Sequence, residues 1–537
     1  MYRVLAGELA VHEGIYDVAY GFMLKAAQSR DDPALYKRTV EIALQARAGA
    51  SALSAARTWL ANMPDSREAI QQVFGLELAL QKSTDASKSL ARLVKDLSPK
   101  ELEAFSAALP AALSRLSNNE QRLIVVRNGL SNLLKDPARG AYAHAMLGNT
   151  ALFAGQTQTA LQQAQQALKQ SPSNAVAATL AVALMEQGLA SARPLVQTYV
   201  ERPDATARVR YFYARALAEQ GQTAAAIQSL KSLTHDHSDA WEAWLLLATL
   251  KADRQDWDSA HAAALAVVNG LPAKTEDSDA GHKWRNRGLL LLSEIEQKQD
   301  HFQQAQHWVD QVTQADDPLA VTYRRATLLA AQGHLDKARA LIAQTEVNDA
   351  TQERRRLTLE AQLLREHQAW QAAFDLLGEG FQRFPDETDW LYTQAMVAER
   401  MAHYDDMERL LRQHMGLQPE DHQALNALGY SLADRGLRLD EARGLIEKAL
   451  AKAPNDPFIT DSLGWVQFRQ GQLEQAIATL QKAWASRADA EIAAHLGEVL
   501  WAAGRTQEAR QAWAQGLVTS PDNASLRQTL QRLGVKL

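Results

Sequence analysis

A Leu-Gly pair, a turn Gly and a helix Ala return every 33 to 35 residues in the C-terminal part of this chain. The series runs Leu428-Gly429, Gly436, Ala442; Leu463-Gly464, Gly471, Ala476; and Leu496-Gly497, Gly504, Ala509. No other feature restricts the fold as much. A period of that length is one supersecondary unit that cannot bury its apolar face alone, so it must stack on copies of itself. Within a period the apolar residues fall three and four apart, as on one face of a helix. Gly at the eighth position lets the two helices of a hairpin approach, and Ala near the twentieth does so from the other side. Pro454 and Pro521 close two of the periods, since Pro stops the second helix and starts a turn.

The spacing, the small residues and the closing Pro resemble the tetratricopeptide repeat. Units are expected to start near Ala141, Asn174, Ala207, Trp241, Asn286, Leu319, Arg354, Thr388, His422, Pro457 and Ala490. Pro172, Pro272, Pro385 and Pro419 close four of them. Composition agrees: 96 of the 537 residues are Ala, against 27 Gly and 15 Pro, which favours an all-α chain. The expected layout is degenerate helical hairpins over 1–140, repeats over 141–272, a polar insertion loop over 273–285, repeats over 286–522, and a capping helix over 523–537. In the degenerate part, Gly14 and Ala19 mark one hairpin and Ala55, Ala56 and Trp59 a second, with Pro99 and Pro110 read as breaks. An extra residue in DRGLRLDEA lengthens one turn. Stacked hairpins imply a tetratricopeptide-repeat solenoid, a right-handed open superhelix with first helices lining its concave face.

Several function classes fall away. The charge of −6 is spread along the chain, which argues against nucleic acid as a partner. No apolar run approaches the roughly 20 residues of a membrane-spanning helix. Without Cys there is no thiolate metal site, disulfide or Cys nucleophile. Phosphate loops, dinucleotide-binding turns, nucleophile elbows and zinc-protease helices are missing, so no catalytic residue, cofactor or metal is expected. His235 and His237 share a loop with no third ligand implied, and Arg354-Arg355-Arg356 reads as an exposed face balanced by Glu353 and Glu360. The first residues, MYRVLAGELAVHEG, carry no basic stretch followed by an apolar one. Either the protein is cytoplasmic or the sequence starts after a removed targeting segment.

What remains is recognition of protein partners by the concave face. Repeat register places Asn426, Tyr430, Asp434, Phe458, Asp461, Trp465, Phe468, Arg469, Glu498 and Trp501 there, with Gln423 and Glu491 beside them. Tyr, Trp and Arg often dominate binding energy, and Asn and Asp can pair with a peptide backbone. The competing reading is that Trp465 and Trp501 pack between neighbouring first helices. A chaperone-tail clamp needs Lys at the fifth and Asn at the ninth position of one unit. The unit at Ala141 offers Asn149 but Ala145, and no unit supplies the pair.

The stretch 424–484 with its NALGY (426–430) and DSLGW (461–465) segments, continued by HLGEVLW (495–501), resembles a more specific group. These are Gram-negative outer-membrane lipoproteins with many tetratricopeptide repeats. The resemblance implies a lipid-anchored adaptor on the periplasmic face of the outer membrane, tethered through a Cys that this sequence does not contain. It would bind a carboxy-terminal processing serine protease and peptidoglycan hydrolase substrates and promote their degradation. A scaffold in envelope polysaccharide export, or a cytoplasmic interaction module, are the alternative expectations.

Overall fold

Each repeat folds into an antiparallel helical pair because one residue of its turn adopts the left-handed conformation. Gly14, Gly155, Gly221, Gly333, Gly436, Gly471 and Gly504 do so with φ between +68° and +82°, where a Cβ is penalised. The computed structural model describes residues 2–271, 279–313 and 317–537. Among these the regular elements are α-helices and two short 3₁₀ turns. No described helix is long and apolar enough to cross a membrane. First helices begin at Gly140, Ala175, Ala207, Trp241, Pro318, Ala350, Asp389, His422, Pro457 and Ala490, all within four residues of the starts the period predicts.

Contacts divide the chain into two units, 1–299 and 300–537. The N-terminal unit opens with three regular hairpins: Tyr2–His12 with Tyr16–Gln28, Pro33–Gln45 with Gly49–Asn62, and Arg67–Ala79 with Ser83–Val94. Small residues again permit the close approach: Ala19, Ala52, Ala55, Ala56 and Ala86 are fully buried. Tyr36 of Pro33–Gln45 and Trp59 of Gly49–Asn62 stack at 6.1 Å within the second hairpin and are themselves fully buried. The next pair departs from the pattern. Pro99–Leu113 packs on Gly140–Phe153, whereas Asn119–Gly129 packs on Ser83–Val94. Gly129 makes that crossing feasible, since a Cβ there would sit 2.8 Å from Leu90.

Two expectations need correction. Pro110 does not break a helix; it lies in the last turn of Pro99–Leu113. A proline so near the end forfeits one ladder bond without interrupting a longer run. Of the loop expected over 273–285, residues 273–278 lie outside the described residues, and 279–285 form the first turns of the helix Asp279–Lys298. That first helix therefore starts seven residues before Asn286, extended by a polar segment that helix periodicity does not flag.

In the C-terminal unit a continuous apolar core runs from Leu391 to Val535. Here His422–Asp434 and Pro457–Arg469 each pack on their own second helix and also on the next first helix, Pro457–Arg469 and Ala490–Ala502 respectively. Successive second helices are not joined in this way, so the first helices take the inner side of the stack. Ala524–Arg532, started by the Asn523 side chain on the Leu526 amide, buries Leu526 and Leu530 and covers the last hairpin. The run Arg354-Arg355-Arg356 is held in ion pairs, to Asp386, Asp317 and Glu353 respectively, while Glu360 pairs with Arg339.

Candidate functional site

Three first helices in succession carry the expected partner-binding residues, and one device sets the start of all three. Asp421, Asp456 and Asp489 are N-caps whose carboxylates accept from the Gln423, Phe458 and Glu491 amides at 2.8, 2.8 and 2.9 Å. Fixing each start at the repeat spacing fixes which side chains meet across neighbouring helices. Close packing behind them is set by glycine: a Cβ at Gly429 would lie 2.6 Å from Ile446, and one at Gly464 would lie 2.5 Å from Leu480.

The centre of the face is a residue that register alone did not single out. His495 sits between the expected residues of the two preceding repeats. Its Nδ1 donates to Asp461 Oδ2 at 2.7 Å, and its Nε2 lies 3.2 Å from the Tyr430 hydroxyl. Its ring stacks on Trp465 with centroids 4.3 Å apart. Trp465 in turn meets Phe468 at 5.3 Å, and its indole N–H donates to Asp434 Oδ1 at 3.2 Å. Arg469 donates to the Asp434 carbonyl. Tyr430, Asp461 and His495 thus link three repeats through one polar chain. The signal in the sequence is a lone imidazole in the apolar run AEIAAHLGEVLW, one repeat after Asp461 and two after Tyr430.

Burial separates the expected residues. Asp461 and Trp465 are only 6% and 5% exposed and serve packing between helices. Asn426, Tyr430, Phe468, Arg469, Glu498 and Trp501 are half-buried, and Asp434 is exposed. Phe458 is 38% exposed, with the Arg487 guanidinium 5.1 Å from its ring. Trp501 lies 5.7 Å from the fully buried Trp513 and 5.8 Å from the Arg510 guanidinium. Glu498 pairs with Arg532 of the capping helix. Asn426, Tyr430, Asp461, Trp465 and Phe468 therefore share one region, while Trp501 and Glu498 belong to the junction with the chain's last helices.

The electrostatics of that region are acidic. Burial pulls the His495 imidazole down, but the Asp461 carboxylate and hydrogen bond, then Glu498 and Asp434, outweigh it and hold the group above the usual histidine range. The Tyr430 phenol is pushed well above its ordinary value by burial and then by Asp434, Asp461, Glu491 and Glu399. Glu399 is itself raised by burial, with Asp434 adding to the effect. Tyr–His–Asp has the connectivity of a proton relay, yet a phenol pushed up this far is a poor nucleophile. Two acceptors are left over: Asp461 Oδ1 and Asn426 Oδ1 are cut off from solvent without a hydrogen-bond donor among the described residues. Leaving such a group unsatisfied costs about 1–3 kcal/mol.

The sequence comparisons with known proteins agree with this architecture. A sequence profile for the tetratricopeptide repeat matches residues 188–237, 213–277, 392–457 and 462–525. The chain is similar to the TPR repeat-containing protein PA4667 of Pseudomonas aeruginosa PAO1, with 37% identity over 188 residues. That match covers 35% of this chain and 32% of the relative, so the chain spans about a third of the relative's length. Among solved structures, the Cut9–Hcn1 hetero-tetramer of the APC/C aligns over 99% of this chain and 95% of its own, at 14% identity and a TM-score of 0.33. MamA 41-end from Desulfovibrio magneticus RS-1 aligns over 33% of this chain and 100% of its own, at 20% identity and a TM-score of 0.29.

Proposed function

We propose that this chain of tetratricopeptide repeats, a protein-interaction scaffold, works as a non-enzymatic periplasmic adaptor of the LbcA kind. In this reading it is lipid-anchored at the outer membrane and brings a carboxy-terminal processing protease together with peptidoglycan hydrolases. The observation that carries the reading is the inner face of the three first helices His422–Asp434, Pro457–Arg469 and Ala490–Ala502. It coincides with the stretch whose sequence resembles the adaptor lipoproteins. There buried Asp461 and Trp465, joined to half-buried His495, hold half-buried Asn426, Tyr430 and Phe468 at fixed spacing. A rigid frame lowers the entropy lost when a partner docks.

The mechanism is proximity. A scaffold that holds protease and substrate at once converts their encounter into an intramolecular event, raising effective concentration to the order of mM for short linkages. The chain's own contribution is to orient, not to react. The test is a pull-down from Gram-negative periplasmic extract with the purified chain as bait. A processing protease and murein hydrolases are expected in the eluate. An eluate with neither, from an extract shown to contain both, overturns the reading.

A further inference from the structure

One second helix of the N-terminal unit is cut short. Arg193–Val200 has 8 residues, where Thr157–Gln170, Thr223–Asp236 and Trp257–Gly270 each have 14. The missing turns leave a cavity of about 550 Å³ between this helix, Ala207–Glu219 and Thr223–Asp236. That volume falls within the roughly 300–1,000 Å³ of small-molecule sites. Counted from the turn Gly, Leu147, Leu428, Leu463 and Leu496 hold the place that Tyr213 holds here. Tyr213 lines the cavity and is only 6% exposed, and its hydroxyl has no hydrogen-bond partner among the described residues. The hydroxyl is nevertheless not one of the unpaired atoms cut off from solvent, so it opens onto the cavity.

The remaining polar groups balance donors against acceptors. Arg202 donates to both Asp204 oxygens, at 2.9 and 3.0 Å, and Arg210 donates to Asp236 and Ser232 at 2.8 Å each. Both guanidiniums are thereby fixed and keep N–H groups to spare. Arg193 and Glu201 also line the cavity and have no ion-pair partner within 4.0 Å among the described residues. Three guanidiniums thus stand against three carboxylates, and a charged ligand gains little from the balance. Val200, Pro203 and Leu217 add an apolar patch. A hydroxyl group can accept from Arg193 and donate to Glu201, and the C–H face of a sugar ring suits the apolar patch.

We propose that this cavity binds a short neutral saccharide. The Tyr213 hydroxyl and the Arg193 guanidinium donate to sugar oxygens, Glu201 accepts from a sugar hydroxyl, and the apolar patch packs under a ring. The site belongs to the N-terminal unit and does not depend on the adaptor reading.

The test is saturation-transfer NMR and calorimetric titration of the full chain with maltotriose, cellotriose and chitotriose, and with citrate and spermidine as charged controls. At least one of the three saccharides is expected to bind with a Kd of about 1 mM or tighter, and neither control should compete with it. Tyr213→Phe should weaken that saccharide about fivefold to tenfold, since one hydrogen bond is lost. Arg193→Ala should weaken it by a similar factor. Tyr213→Leu restores the residue of the other repeats, so its circular dichroism and thermal melt should match the parent while binding disappears. No binding of any of the three saccharides, displacement of the bound one by citrate or spermidine, or a Tyr213→Leu variant that binds like the parent overturns the site. Capture of the protease from extract is unaffected by Tyr213→Leu, so failure of this site and failure of the adaptor reading are read separately.

Discussion

His495→Leu separates a charged, buried link between repeats from ordinary packing. The imidazole bridges Asp461 and Tyr430 with its side chain only 15% exposed, and Asp461's is 8% exposed. Removing it strands a carboxylate whose second oxygen already lacks a donor. Breaking a buried pair in this way costs about 3–5 kcal/mol, and the partial exposure of His495 places the loss near 3. Asp461→Leu should cost a similar amount. The double variant should cost little more than either single one, because no stranded charge remains, giving a coupling of about 2–3 kcal/mol. The pH dependence has a definite sign. The folded group sits above the ordinary value of 6.5, so its contribution is complete below that value and is lost as pH rises through the folded pKa. Urea unfolding followed by circular dichroism, at about pH 6 and about pH 9, reads this out. The cost of His495→Leu should be larger at the lower pH. Additive single costs, or a cost independent of pH, would refute the claim that a charged His495–Asp461 pair ties the repeats together.

Other substitutions test the packing logic. Gly464→Ala should destabilise by about 1–3 kcal/mol, since its Cβ meets Leu480 at 2.5 Å. Gly444→Ala, in a helix with nothing within 4 Å of the new Cβ, should stabilise by about 0.5–1 kcal/mol, both read as shifts of urea midpoint. Ala402 sits in a hairpin turn at φ +56°, so Ala402→Gly should raise stability by about 0.5–1 kcal/mol. Gly471→Ala, at φ +81°, should lower it by a like amount in thermal melts. Trp465→Ala should cost about 3–5 kcal/mol by urea unfolding, because the ring is buried against His495 and Phe468.

Where the period is written in small residues, the architecture was legible. Gly429, Gly464 and Gly497 mark the close approaches, and Gly436, Gly471 and Gly504 mark the turns. The N-terminal hairpins were harder to see for a specific reason. Arg47 and Gln81 take the same left-handed turn at φ +54° and +58°. The backbone geometry persists there without the glycine that advertises it, as it also does at Gln255, Gln368 and Ala402. Pro110 and the start of Asp279–Lys298 were misread because local propensity yields to the packing of a long helix. Register named positions on three successive first helices but could not rank them by burial. Trp465 and Asp461 turn inward because His495, one repeat later, offers both a ring to stack on and a donor. That partner is non-local, at 30 and 34 residues' distance, and sits at a position held by Ala427 and Ser462 in the two preceding repeats.

The central claim is that first helices, not second helices, receive the partner. Amide hydrogen exchange of the full chain, with and without the processing protease proposed as its partner, measures this directly. Protection is predicted in His422–Asp434, Pro457–Arg469 and Ala490–Ala502. Protection confined to Leu439–Lys452, Leu473–Ser486 and Thr506–Thr519 would contradict it.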